Sequence, residues 1–321
     1  GIITSAGGHV SHAAILARSL RIPSVSGIAH VVDLLSDGDE VLIDGNAGTV
    51  FRDPDESLVL EFGRFEESRR EYLTHLEALR DQPCETCDGL QIKLRANVGL
   101  PQDLEDYSRW GADGIGLYRT EVQYLMWKSR PTQVELTEAY THAIQAAKGE
   151  HVVFRTLDLG GDKFPSYLTF PHEENPFLGE RSIRYQLKYP YLLKDQLKAI
   201  LRAARQGPAR IMFPMISQLN ELLQVKRIYT ECREEVEVED GEAPPVLDLG
   251  MMFEVPSAVL MCELFAAELD FLSIGSNDLT QYVMAVDRNN PLVSHLYDPL
   301  EPAVLMLIKR LIDVANKLGK P

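Results

Sequence analysis

Two histidines near the start of the chain have a type and spacing that could do chemistry. His9 and His12 belong to the segment GGHVSHAAILARSL, in which a Gly-Gly turn precedes an apolar stretch with helical periodicity. Ser11 is suited to cap this helix, so His12 is predicted in the first turn, at the positive end of the helix dipole. That position disfavours imidazolium and favours an anion attached to the ring, so a neutral His12 could carry a phosphoryl group.

Two less specific interpretations of these histidines remain open. His12 could simply cap the helix or pack at the turn, or His9 and His12 could bind a metal ion together.

The cysteines indicate a functional site only weakly. Cys84 and Cys87 form one Cys-x-x-Cys pair, which suits redox or structural metal use, but the second pair that a zinc ribbon needs is absent.

A second set of reactive side chains lies at the ends of predicted strands. Beyond Gly89, apolar runs alternate with helical segments, a pattern typical of a parallel sheet that is covered on both faces. The predicted strands are IKLRANVG, GIGLYRTE, HVVFRTLDLG, RIMFPMI, LDLGMMFEV and DFLSIGSND. Polar residues cluster at the carboxyl ends of these strands, namely Arg119, Glu121, Arg155, Asp158, Glu254, Asn277 and Asp278. Because barrel enzymes bind substrate at this end, the pattern predicts a (β/α) barrel with its site there.

Two of the strand-end acids are candidate metal ligands. Glu254 and Asp278 would supply hard carboxylate oxygens from successive strands and leave room for water and substrate, as Mg²⁺ prefers. No cluster of thiolates and imidazoles in the sequence competes for a softer metal. Asn277, beside Asp278, is a candidate ligand for a phosphate group or for the metal shell. The sequence therefore predicts a magnesium site.

The elements that must position these residues fall into three parts. Residues 1–56 are predicted to form a small α/β domain, in which GNAG marks a turn between alternating strands. Residues 57–88 are rich in Glu, Arg and Leu with opposite charges at i,i+4 spacing, which predicts an exposed helical linker that closes in the turn DQPCETCDG. Residues 89–321 are predicted to form the barrel domain.

Composition and charge limit the partners of the chain. It has 321 residues, of which 45% are hydrophobic and 25% charged, enough for two globular domains. It has no apolar run of membrane-spanning length and no signal peptide, so a cytoplasmic location is expected. A formal charge of −16 argues against nucleic acid or an anionic membrane as partner. An anionic substrate would need a locally positive site within this negatively charged protein.

The motifs, taken together, resemble those of a known family. TSAGGHVSHAAILARSLRIPSV resembles the phosphohistidine segment of enzymes that use phosphoenolpyruvate (PEP). The segments GLYRTE, FRTLDLGGDK, NPFLGERSIR, IMFPMI, MMFEVPSA and FLSIGSNDLTQYVMAVDR resemble, in the same order, the motifs of the enzyme I family of PEP-protein phosphotransferases. The resemblance extends over nearly the whole chain and implies a phosphohistidine domain linked to a TIM-type barrel.

The resemblance implies a reaction and a set of residues. PEP would transfer its phosphoryl group to His12, pyruvate would leave, and a histidine of a small phosphocarrier protein would receive the group next. Mg²⁺ would stabilise the enolate oxygen of the departing pyruvate, and a homodimer is expected. Guanidinium forks suit the carboxylate and phosphate oxygens of PEP in a cationic pocket. The candidate substrate ligands in the matched motifs are Arg119, Arg155, Lys163, Arg181, Asn277 and Arg288. Arg184 could support the same face.

Part of the family pattern is missing from the chain. Six predicted strands are fewer than the eight of a closed barrel, and the cysteine loop that protonates the enolate in the family has no match. We therefore expect a fragment that lacks both ends and that is not a competent phosphotransferase alone, although slow phosphorylation of His12 is possible. A PEP synthase or a dikinase, and a regulatory phosphocarrier or sensor, remain the alternatives.

Overall fold

The computed structural model describes residues 1–6, 17, 22–161, 165, 167–168 and 170–321. His9, His12 and Lys163 lie outside these residues, so their roles remain predictions. The chain divides into two compact units, residues 1–94 with 100–112, and residues 95–99 with 113–321. The predicted domain boundaries at residues 56 and 88 likewise stay a prediction.

Four short strands form two small sheets in the described part of residues 1–52. Strand β1 (Ile2–Thr4) pairs in parallel with β2 (Ser24–Ser26), and helix α1 (Val31–Leu34) follows. The predicted hairpin is present, because β3 (Val41–Asp44) pairs antiparallel with β4 (Thr49–Arg52). Asp44 shapes the turn between them, since its Oδ1 accepts hydrogen bonds from the backbone N–H groups of residues 46 and 47.

One long helix occupies much of the rest of unit 1. Helix α2 (Glu56–Leu79) begins at Asp55, whose side chain accepts a hydrogen bond from the backbone N–H of Leu58 at 2.8 Å. None of its residues is buried, as the alternating charges of the sequence predicted. Helix α3 (Pro101–Arg109) follows α2 along the chain and also belongs to unit 1.

Six strands of unit 2 form one parallel sheet in the described residues, in the order in which they occur along the chain. They are β5 (Ala96–Val98), β6 (Ile115–Arg119), β7 (Val152–Arg155), β8 (Ala209–Phe213), β9 (Asp248–Phe253) and β10 (Phe271–Ile274). Each strand pairs with the next, so every crossover runs in the same direction. Right-handed crossovers of this kind place the helices outside a curled sheet, as in a β/α barrel. The predicted α/β fold class and barrel-type sheet are confirmed.

The helices of unit 2 lie between and after these strands. Their bounds are α4 (Glu121–Met126), α5 (Gln133–Ala146), α6 (Ile183–Lys188), α7 (Pro190–Ala203), α8 (Leu219–Asp240), α9 (Pro256–Leu260), α10 (Cys262–Ala267), α11 (Ser276–Met284) and α12 (Pro302–Leu318). Within the described ranges, no helix combines the length and the apolar content that a membrane span requires.

Apolar side chains from neighbouring strands form a packed layer on the sheet. Val153, Met212, Met252 and Phe271 come from four neighbouring strands and pack together, with Leu117 against them. Arg155 and Glu254 each follow a member of this layer, Val153 and Met252, by two residues, so the alternation of side chains along a strand places them on the same face, nearer the carboxyl edge. The core thus fixes where the strand-end polar side chains meet.

Candidate active site

Six charged side chains are buried at the carboxyl edge of the sheet, each only 1% to 7% exposed. This charge cluster consists of Glu121, Arg155, Asp158, Arg181, Glu254 and Asp278. Its members lie at or after the ends of β6, β7, β9 and β10, where the sequence predicted a site. Charges this deeply buried need partners, so their mutual contacts define the site.

Arg155 is held by two carboxylates. Its Nη2 lies 2.6 Å from Oε1 of Glu121 and 3.3 Å from Oδ2 of Asp158. Burial alone would lower the pKa of Arg155, but the charges of Glu121 and Asp158 outweigh burial and raise it. Thr120 fixes the neighbouring backbone, because its hydroxyl donates to the carbonyl of Arg155 at 2.8 Å. Arg155 therefore stays charged and fixed at the end of β7.

Arg181 joins two further carboxylates. Its Nη2 lies 3.1 Å from Oδ1 of Asp158, and its Nη1 lies 3.3 Å from Oδ1 of Asp278. Burial opposes the charged form of Arg181, but the charges of Asp158 and Asp278 outweigh it and raise its pKa. Gly160, with φ +112°, lets the Arg181 backbone approach closely, since a Cβ at this position would overlap Arg181.

Glu254 lies directly after β9 and has a perturbed acidity. Its Oε1 accepts a hydrogen bond from the backbone N–H of Met215 at 2.7 Å. Burial, together with the negative charges of Asp158 and Asp278, raises its pKa to about 8, although Arg155 opposes the shift. Met215 has a φ of +57°, an unusual value for a side-chain-bearing residue, and this backbone conformation accompanies its contact with Glu254.

The carboxylates fit a magnesium ion by their chemistry. Among the described residues, no group of three His, Cys, Asp or Glu side chains is placed to hold a metal by itself. Glu254 and Asp278 can offer two hard oxygens, and Mg²⁺ commonly completes its shell with water and substrate. The negative charge of Asp278 already raises the pKa of Glu254, and a divalent cation would relieve this repulsion. Both residues therefore suit their predicted role.

Arg119 differs from the arginines of the charge cluster. It ends β6, is half-buried, and makes no ion pair with any residue that the structure describes. Its guanidinium lies against Gly99, where a Cβ would be 2.7 Å from Nη2. The Nε of Arg119 is buried without a hydrogen-bond partner. Arg119 is thus a candidate ligand for an anion that comes from outside.

The other predicted ligands lie at the margin of the cluster. Arg288 is half-buried, with Nη1 3.7 Å from Oδ1 of Asp278. Asn277 is exposed, and its side-chain oxygen accepts a hydrogen bond from the hydroxyl of Tyr297 at 3.2 Å. Arg184 donates to the carbonyls of residues 178 and 179, so it holds the backbone of the segment before Arg181.

The predicted cationic pocket contains acidic as well as basic side chains among the described residues. In the described part of the chain, Arg155, Arg181 and Arg288 lie within 4 Å of carboxylate oxygens of Glu121, Asp158 or Asp278. Buried guanidinium groups need counter-charges, and Glu121 and Asp158 supply them. A bound divalent cation would add positive charge beside these groups, which favours an anionic substrate.

Sequence reasoning assigned no role to several residues that build the site. Glu121 and Asp158 were recognised at strand ends, but their spacing did not indicate which arginines they pair with. Tyr282 was missed, although it lies one helical turn after Asp278 and therefore on the same face of α11. Met215 gave no signal, because its contact with Glu254 uses the backbone.

Comparison with known proteins identifies the family of the chain. A family model described as PEP-utilising enzyme, PEP-binding domain, matches residues 74–321, and a second, PEP-utilising enzyme, mobile domain, matches residues 1–48. PEP-protein phosphotransferase from Staphylococcus carnosus is 42% identical over 100% of this chain and 56% of its own length. The protein of the same name from Listeria innocua is 41% identical with the same coverage.

The chain thus spans a little over half the length of these curated relatives. Among solved structures, an HpcH/HpaI aldolase from Desulfitobacterium hafniense is 15% identical, with 70% of this chain and 76% of that chain covered. Its TM-score of 0.38 is too low to support an argument. The predicted resemblance is confirmed by the family models and the curated relatives, and the chain belongs to the PEP-utilising enzymes.

Proposed function

We propose that this chain carries the PEP-binding part and the phosphoryl-accepting histidine of a PEP-protein phosphotransferase. PEP transfers its phosphoryl group to His12, pyruvate leaves, and the group then passes to a histidine of a small phosphocarrier protein. The convergence of charged residues from four strand ends at one edge of the sheet carries this proposal. The family match over residues 74–321 and the names of the relatives agree with it.

The guanidinium groups position the substrate in this proposal. Arg119 binds PEP oxygens directly, because it has no acidic partner among the described residues. Arg155 and Arg181 are held by their carboxylates in fixed orientations, so they present their remaining N–H groups without reorganisation. Lys163, Asn277 and Arg288, from the matched motifs, complete the substrate ligands.

Glu254 and Asp278 hold Mg²⁺ in this proposal. When bound, the ion supplies positive charge where negative charge develops on the enolate oxygen of pyruvate. Met215 keeps the Glu254 carboxylate in place through its backbone N–H, and Arg181 does the same for Asp278. These contacts are made before substrate arrives, so the two carboxylates are preorganised.

His12 attacks the phosphorus atom of PEP with a ring nitrogen. The bond from phosphorus to the enol oxygen breaks, and pyruvate leaves as its enolate and takes up a proton. The transition state spreads charge over the phosphoryl oxygens, so positioning and charge neutralisation dominate the barrier. In agreement with the resemblance, the complete enzyme would be a cytoplasmic homodimer that serves sugar transport or a regulatory branch of the phosphotransferase system.

Transfer of label from PEP to His12 tests this function. The chain is incubated with Mg²⁺ and PEP carrying ³²P in its phosphoryl group, and acid-labile label on the protein is measured. We expect slow, magnesium-dependent labelling that His12→Ala abolishes and that His9→Ala leaves in place. Nucleotide is omitted throughout, which separates this reaction from that of a synthase or dikinase. Failure of label to reach His12 would contradict the proposal.

A further inference from the structure

The hydroxyl group of Tyr282 lies where three segments of unit 2 meet. Tyr282 belongs to α11, and its oxygen is 2.6 Å from the carbonyl oxygen of Phe177. The same oxygen is 3.1 Å from Nη1 of Arg181 and 3.8 Å from Sδ of Met215. These partners follow β7 and β8, whereas Tyr282 follows β10, so one hydroxyl contacts segments after three strands.

The direction of these hydrogen bonds follows from the groups present. A phenol has one proton to donate, a carbonyl oxygen can only accept, and a guanidinium can only donate. The Tyr282 proton therefore goes to the Phe177 carbonyl, and a lone pair of the Tyr282 oxygen accepts from Arg181. Burial raises the pKa of Tyr282 to about 12, so the hydroxyl remains protonated at neutral pH.

Arg181 has an uncharged side-chain partner, Tyr282, in addition to the carboxylates of Asp158 and Asp278. Nη2 of Arg181 faces Asp158, whereas Nη1 is shared by Asp278 at 3.3 Å and Tyr282 at 3.1 Å. The contact with Asp278 is long for a charge-assisted hydrogen bond, so Tyr282 is the closer partner of Nη1. The ring of Phe177 also lies under the guanidinium, with its centroid 5.8 Å from Cζ.

We propose that Tyr282 is a positioning residue that fixes the Arg181 guanidinium for PEP binding. It ties the backbone at Phe177 to the helix that carries Asp278, and it orients Nη1 without adding a negative charge. A third carboxylate at this position would neutralise Arg181 further and weaken its attraction for an anionic substrate. This inference rests on the proposed function, because it assigns Arg181 to the PEP site.

Tyr282→Phe removes the hydroxyl and keeps the ring. The PEP dependence of His12 labelling then gives a half-saturating PEP concentration and a maximal rate for each variant. We expect the half-saturating concentration to rise on the order of tenfold, and the maximal rate to change far less, because ground-state orientation of a substrate ligand is lost. Tyr229→Phe is the matched control, since its buried hydroxyl accepts a hydrogen bond from Leu247 away from the site.

A double-mutant cycle separates positioning from a general loss of packing. If Tyr282 acts through Arg181, Tyr282→Phe adds little to the loss of PEP affinity in an Arg181→Lys background. Additive effects of the two substitutions, or an unchanged half-saturating concentration in Tyr282→Phe alone, would overturn the inference. An unaltered chain that neither binds PEP nor labels His12 would instead overturn the proposed function, and the inference with it.

Discussion

Nη2 of Arg155 lies 2.6 Å from Oε1 of Glu121, and both side chains are more than nine-tenths buried. Removing two charges from water is costly, so such a pair adds little net stability compared with apolar residues of the same volume. Loss of one partner is more damaging, because the other charge stays buried. The Glu121–Arg155 pair is therefore better explained by the need to fix Arg155 at the strand end than by stability.

Glu121→Gln should destabilise the chain strongly. The substitution leaves Arg155 buried with Asp158 as its remaining close carboxylate, so we expect a loss of about 3 kcal/mol in the free energy of unfolding. Denaturant unfolding measures the change. Asp313→Asn is the control, because its pair with Lys309 is exposed and should contribute less than about 1 kcal/mol. If both substitutions lowered the free energy of unfolding by the same small amount, the buried Glu121–Arg155 pair would not be needed for folding stability.

Arg119→Gln should lower PEP affinity and leave stability almost unchanged. Arg119 makes no ion pair in the described part of the chain, so no buried partner is left behind when its charge is removed. A lost hydrogen bond to a charged ligand corresponds to about 10- to 100-fold in affinity. Calorimetric titration with PEP and Mg²⁺ provides the measurement, and Arg227→Gln, on the exposed side of α8, serves as control. If Arg119→Gln bound PEP with unchanged affinity, Arg119 would not be a PEP ligand.

Gly99→Ala should affect the same arginine indirectly. The new Cβ would lie 2.7 Å from Nη2 of Arg119, and the flexible guanidinium can move away at little cost in folding. We expect weaker PEP binding with a melting temperature close to that of the unaltered chain. Gly63→Ala is the control, because nothing lies within 4 Å of its Cβ position. A Gly99→Ala variant with full affinity would mean that the Arg119 position is not critical.

The acidity of Glu254 predicts how stability varies with pH. Its pKa of about 8 exceeds the ordinary value of 4.5, so the folded chain holds the proton more tightly than the unfolded chain. Protonation of Glu254 therefore stabilises the folded chain. This contribution is complete below pH 4.5 and is lost as the pH rises to about 8. In the absence of metal, the titration of Glu254 should lower the free energy of unfolding by at most about 1.4 kcal/mol for each pH unit in this range.

Glu254→Gln tests this dependence because it keeps the shape and removes the titration. The difference in unfolding free energy between the variant and the unaltered chain should change across pH 5 to 8, as followed by denaturant unfolding in a chelating buffer. Added Mg²⁺ should stabilise the unaltered chain more at pH 8 than at pH 6, since a metal competes with the proton. Parallel pH profiles for the two proteins would contradict the assignment.

The sequence was sufficient to predict the sheet and the edge at which the charge cluster lies. Apolar runs that alternate with helical segments predicted all six parallel strands, and the polar residues that end them predicted the carboxyl edge. The exposed helix α2 also followed from its charges. These features depend on local periodicity and on the general geometry of parallel sheets, and both can be recognised in one sequence.

The pairing of charges within the site could not be predicted from the sequence. Arg181 contacts Asp278, which lies 97 residues away in the chain, and no local pattern encodes such a contact. The contact between Glu254 and the backbone of Met215 leaves no trace in side-chain types. The roles of Glu121 and Asp158 as counter-charges, and of Tyr282 as a neutral partner of Arg181, depend on burial that appears only in three dimensions.

Calorimetric titration of PEP, with and without Mg²⁺, is the decisive measurement for PEP binding at the charge cluster. We expect saturable binding of one PEP per chain that requires Mg²⁺ and that is lost in a variant with Glu254→Gln and Asp278→Asn. Binding that persists in this variant, or binding that does not depend on Mg²⁺, would contradict a shared metal and substrate site at the carboxyl edge of the sheet.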